Sequence, residues 1–123
     1  GLLNITGNIN KVVRKHSIKS GLCTLFIQHT SASFVIQENA DPSAKVDLEH
    51  WLNRIAPEND PHYTHTLEGD DDMPAHLKSA ITNTSLSIPI LDSALMLGTW
   101  QGIYLWEHRH SGCQRSIIIH LSE

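Results

Sequence analysis

The last third of the chain sets the tightest limit on its fold. Four short apolar runs follow one another there: Leu86–Ile90, Ala94–Leu97, Gln101–His108 and Ser116–Leu121. Each reads as a β-strand. In the third, Gln101, Ile103, Leu105 and Glu107 share a face by the period of two, so Glu107 is an acid at the end of an apolar face. In the fourth, Arg115 falls on the face of Ile117, Ile119 and Leu121. Two amphipathic helices precede these strands. Asp41 caps and Pro42 opens the first, Asp41–Ala56, whose stripe is Leu48, Trp51, Leu52 and Ile55, with Asp47 on its flank. The second, Pro74–Asn83, has Met73, Leu77, Ala80, Ile81 and Thr84 as its inner stripe, bordered by His76. Strands gathered at one end and amphipathic helices before them predict an α+β fold: a largely antiparallel sheet or sandwich with two to three helices.

The first third is read the same way. Thr6 is expected to cap a helix over Gly7–His16, with His16 on or beside its buried face. Leu22–His29 reads as a strand whose Cys23, Leu25, Ile27 and His29 share a face, and Ser33–Gln37 as a second strand paired with it. Pro57–Met73 is a polar loop carrying His62 and His65, and loops of that length are usually functional or disordered. The acids Asp70, Asp71 and Asp72 at its end read as capping and first-turn charge.

Composition narrows the function. The 123 residues make one domain, 1–123, and a hydrophobic share of 40% is enough for a packed core. No apolar run approaches the roughly 18 residues of a membrane helix. A net charge of −4 argues against a broad nucleic-acid surface. Cys23 and Cys113 belong to no C-x-x-C motif and read as reduced cysteines of a cytoplasmic protein. Nine histidines turn attention to metal or acid–base chemistry.

No local motif guarantees a metal site. His62-x-x-His65 and His108-x-His110 read as exposed surface pairs. The stronger set is non-local: His29 at a strand end, His65 in the long loop and His76 at a helix start. These three are the expected metal ligands, the alternative being that backbone carbonyls satisfy each ring. Glu107 or Asp47 is the candidate general acid/base. Thr30 and Ser31 beside His29, with Arg115 as a forked cation, suit a phosphate or carboxylate. Thr99, Trp100 and Gln101 place two polar groups around an indole and are expected to shape the pocket. No phosphate-binding glycine loop, dinucleotide fingerprint or Gly-x-Ser-x-Gly elbow occurs.

Four motifs in order, His29-Thr30-Ser31-Ala32, Asn39-Ala40-Asp41-Pro42, Asp71-Asp72-Met73-Pro74-Ala75-His76 and Leu97-Gly98-Thr99-Trp100-Gln101, resemble the YjbQ family over about Gly7 to Leu121. The resemblance implies a divalent metal, zinc or a similar ion, held by such histidines. It implies a homotrimer, and a strand ahead of the residue at which this sequence starts. It also implies a weak transferase activity of the thiamine-phosphate synthase type, joining a pyrimidine diphosphate to a thiazole phosphate with release of pyrophosphate. Arg115 would then face the phosphorylated small molecule. The alternative is a metal- or small-ligand-binding protein without turnover. A Gly-Pro-Arg-like turn is common in the family before the last strand. Here the chain reads His108-Arg109-His110-Ser111-Gly112-Cys113-Gln114-Arg115, which leaves the functional arginine open between Arg109 and Arg115.

Overall fold

Alternation along the strands decides the layers. The computed structural model describes residues 1–123 and runs β1 (Leu2–Asn4), α1 (Thr6–Lys15), β2 (Ser20–Ile27), β3 (Ala32–Glu38), α2 (Pro42–Ile55), α3 (Asp72–Ile81), β4 (Ser85–Leu91), β5 (Ala94–Leu95), β6 (Gln101–Glu107) and β7 (Ile117–Ser122). Cys23, Leu25 and Ile27 on one face of β2 are buried, while Leu22 and Phe26 on the other are exposed. Two antiparallel sheets result, ordered β1-β6-β3 and β5-β4-β2-β7. Their inner faces share one core with α1, built on Phe34, Leu25, Ile27, Ile103, Ile88 and Val13. This is the expected α+β sandwich with three helices. No helix is long and apolar enough to cross a membrane.

The pairing of β3 corrects the sequence reading. It does not pair with β2 but crosses to the other sheet and pairs with β6, from Ala32↔Glu107 to Glu38↔Gln101. Ala32, Ser33, Phe34 and Val35 are buried in succession. Four consecutive buried residues need cover on both faces. Phe34 enters the inter-sheet core, and Val35 packs with Leu52 of α2 beneath the outer layer.

The helices depart from their expected faces for related reasons. On α2, Asp41 caps as expected, accepting from the Ser43 N–H at 2.9 Å. Leu52 is buried and Leu48 packs beside it, but Trp51 and Ile55 stay half exposed, because α2 rests on a narrow seat of Val35, Tyr104 and Trp106. On α3 the expected stripe is wrong. Pro74, Ala75 and Ser79 are buried, whereas Ala80 and Ile81 are exposed. Small Ala75 lets the helix close on β3, and the Ser79 hydroxyl donates to the Ala32 carbonyl at 3.1 Å. Thr6 does not cap α1; its Oγ1 accepts from the Ile103 N–H at 2.8 Å and ties the helix to β6. His16, expected at a buried face, is exposed at the helix end.

Candidate metal centre and its cleft

The rotation of α3 buries Asp72 in its first turn, at 5% exposure. Its Oδ2 lies 2.8 Å from His65 Nε2 and 3.0 Å from His76 Nε2. Its Oδ1 accepts from Arg109 Nη1 at 2.6 Å. Capping is therefore not the role of Asp72, and Asp71, at the N-cap position, makes no side-chain cap bond either. Asp71 instead accepts from the His110 N–H at 2.8 Å and pairs with Arg109 Nε at 3.1 Å. Burial alone would raise the Asp72 carboxyl, but the hydrogen bond from His65 and the charges of His76 and Arg109 hold it below the usual carboxylate range.

One contact gives this cluster its chemical meaning. His76 Nδ1 lies 2.9 Å from the Thr30 carbonyl, which can only accept. Nδ1 therefore carries a proton, and Nε2 either carries a second one, pairing His76 as a cation with Asp72, or in the neutral ring offers its lone pair beside the carboxylate. At 3.0 Å the neutral ring and the carboxylate would repel, and either a proton on Nε2 or a metal ion held by both atoms removes that repulsion. The facing atoms of His65, Asp72 and His76 all lie within 4.8 Å of one another. Two imidazoles and one carboxylate form a donor set common for transition-metal ions, with room for a further ligand. The Thr30 carbonyl behind His76 and Arg109 behind Asp72 are the outer partners such ligands ordinarily have. The cluster can thus hold a metal ion.

His29 stands outside this group. Its Nε2 accepts from the Ser116 N–H at 2.8 Å, and its Nδ1 lies 3.3 Å from Arg115 Nη1. It still faces a cavity of about 370 Å³ that His76, Thr30, Ser79 and Thr84 also line. Arg115 and Glu107 form an ion pair: Nε donates to Oε1 at 2.8 Å, Nη2 reaches Oε2, and the Arg109 N–H adds a third bond. Burial alone would raise Glu107, but these bonds hold it below the ordinary carboxylate range, hence ionised. The two arginines left open by the sequence thus divide their work, Arg109 on Asp72 and Arg115 on Glu107. Asp47 is exposed on α2 and bonds to none of these groups.

Thr99, Trp100 and Gln101 lie elsewhere in the chain's own fold. Their turn is held by Gly98 N–H donating to Gln101 Oε1 at 2.7 Å and Asn39 N–H donating to the Trp100 carbonyl at 3.0 Å. Gln101 and Glu107 are opposite ends of β6, roughly 20 Å apart at strand rise. Trp100 is 65% exposed.

His108 lies where strand alternation puts it, not on the surface beside His110. It continues the pattern of Tyr104 and Trp106, which lie under α2, and is buried at 6% exposure. Its Nε2 is 2.8 Å from Ser33 Oγ. Burial, then the nearby Lys78 charge, pushes its pKa from 6.5 down to about 3. The unfolded chain binds this proton near pH 6.5, and the folded chain refuses it until about pH 3. The associated stability is full above pH 6.5 and declines as pH falls towards 3. Thermal unfolding midpoints should drop through that window, and His108→Gln should flatten the decline relative to the parent chain. Equal slopes would show that carboxylates alone cause the acid sensitivity.

Fold and cluster together define a class: a small antiparallel sandwich bearing a His/Asp/His site that could hold a metal ion. The model of the family described as UPF0047 protein YjbQ-like matches residues 1–123. The chain belongs to the YjbQ/UPF0047 family. It is 51% identical over 121 residues to a UPF0047 protein of Synechocystis, covering 98% of this chain and 82% of that one. It is 44% identical over 110 residues to the UPF0047 protein YjbQ of Escherichia coli O157:H7, covering 89% and 79%. A crystal structure of a YjbQ/UPF0047 protein from Clostridium acetobutylicum superposes with a TM-score of 0.88 at 32% identity, covering 99% of this chain and 91% of that one. A YbjQ-like protein of unknown function from Sulfolobus solfataricus gives 0.90 at 27%, covering 100% and 88%.

Proposed function

We propose that this protein binds one divalent cation, zinc by its donor set, through His65, Asp72 and His76, and holds a phosphorylated small molecule in the adjoining cleft. The observation that carries this reading is the convergence of His65 Nε2, His76 Nε2 and an Asp72 oxygen, with the Thr30 carbonyl orienting the His76 ring towards Asp72. When bound, the cation supplies positive charge beside the cleft. Thr30 and Arg109 keep His76 and Asp72 in position, and Thr30, Ser31 and Thr84 supply hydroxyls along the cleft wall. His29, also facing the cleft, is the remaining group there able to move a proton, since Glu107 is locked as a carboxylate by Arg115.

The reaction we assign is a weak thiamine-phosphate synthase activity, the transfer that resemblance to the family implies. Assembly as a homotrimer accompanies it. Leu22, Phe26, Leu91 and Ile118 leave an apolar surface on the outer face of the second sheet, which no helix covers. A pocket role for Thr99, Trp100 and Gln101 then requires that one copy present this turn to the cleft of another. The unpaired Cys23 and Cys113 suit a cytoplasmic protein.

The experiment uses one preparation. Metal content by mass spectrometry should give one zinc per chain, sedimentation should give three chains per particle, and pyrophosphate release should depend on both diphosphate and thiazole phosphate. Bound zinc without turnover would select the alternative, a non-catalytic metal- or ligand-binding protein. A protein that holds no divalent metal after zinc loading would overturn the reading.

A further inference from the structure

We infer that the cleft binds an oxyanion oxygen, from a carboxylate or a phosphate ester, between His29 Nδ1 and Arg115 Nη1. The argument begins with hydrogens. The Ser116 backbone N–H donates to His29 Nε2 at 2.8 Å. A neutral imidazole has one acceptor nitrogen, so this bond makes Nδ1 the protonated one. Nδ1 lies 3.3 Å from Arg115 Nη1, and a guanidinium nitrogen only donates. Two N–H groups therefore face each other with no acceptor between them.

The rest of the guanidinium is already engaged. Nε and Nη2 reach Glu107, and Nη2 also reaches the Ser31 carbonyl at 3.2 Å and Ser31 Oγ at 3.0 Å. Nη1 alone is left without an oxygen. The Arg115 side chain is only 7% exposed, so Nη1 is not a loose end in bulk water. Glu107 and Ser31 hold the fork in place before any ligand arrives, which removes most of the ordering cost of binding. His29 and Arg115 line a cavity of about 490 Å³, where the hydroxyls of Thr30, Ser31 and Thr84 can turn towards a guest. A carboxylate or phosphate oxygen placed there accepts from Nδ1 and Nη1 at once. Because Glu107 offsets the guanidinium charge, recognition depends on where the donors point rather than on a strong positive field.

The inference rests on the cleft assigned above but not on the cation, so metal-free protein tests it separately. Amide NMR spectra of chelator-treated protein are followed during titration with sodium phosphate and, in a second arm, sodium acetate, at constant ionic strength. Saturable shifts are expected at Thr30, Ser31 and Ser116, and the anion that saturates at lower concentration names the group. His29→Phe removes one donor and should weaken that binding at least ~10-fold. Arg115→Lys keeps a charge opposite Glu107 but loses the fork, and should weaken it as well. If that variant does not fold, the His29→Phe comparison still decides. No saturable shift in either arm, or equal affinity in His29→Phe, would overturn the assignment. Anion binding without zinc binding would sink only the cation reading.

Discussion

His76→Ala and Asp72→Asn are each expected to lower zinc affinity at least ~100-fold, while His29→Ala leaves it unchanged. His76 and Asp72 bring facing donor atoms together at 3.0 Å, and His65 adds a third at 2.8 Å from the same oxygen. His29 spends its acceptor nitrogen on the Ser116 N–H. Asp72→Asn preserves shape and a partner for Arg109, so loss of zinc from that variant in its folded form reports ligation and not collapse. Competition with a chromophoric chelator measures each affinity, and circular dichroism checks each fold. Zinc lost from His29→Ala but kept by Asp72→Asn would return the ligand set to the three histidines expected from sequence.

Phe34→Ala should be the most damaging single substitution in the core, at a cost of about 3–5 kcal/mol. Phe34 is fully buried between the sheets. Its backbone also bridges to the α3–β4 link, with its N–H donating to the Asn83 carbonyl at 2.6 Å and its own carbonyl accepting from the Asn83 N–H at 3.1 Å. A cavity there loosens the β3 segment on which α3 seats Asp72 and His76. Urea unfolding should therefore show a lower midpoint with an unchanged slope, and zinc affinity should fall with stability. A loss below about 1 kcal/mol would mean that the sheets close over the gap.

Local patterns carried much of this protein in plain view. Strand alternation after Leu86 and in Leu22–His29 located the C-terminal strands and β2 to within a residue or two, because period two follows from the pleat itself. Asp41-Pro42 announced α2 through a cap that is chemically local. The chemistry was also partly local. His65 and His76 stood out as histidines at a loop and a helix start, and Asp72 lies four residues before His76, on the same side of one helix. That spacing was available, yet the three consecutive acids offered capping as a simpler account.

What the tertiary structure alone decided concerns faces and partners. An apolar stripe predicts a buried face only when large side chains make the contact. On α3 the contact is made by Ala75, Pro74 and Ser79, and the resulting rotation is what turns Asp72 inward. Pairing of β3 with β6 instead of β2 was equally hidden, since two strands joined by a short link can lie in one sheet or in facing ones, and the choice depends on what covers each face. That same crossing carries the Thr30 carbonyl to His76 and leaves His29 with Ser116 and Arg115. The sequence by itself determined which residue types were present and where helices and strands would form, because those follow from neighbours along the chain. Which lone pairs face one another was decided by contacts between residues far apart in sequence, and no pattern along the chain encodes them.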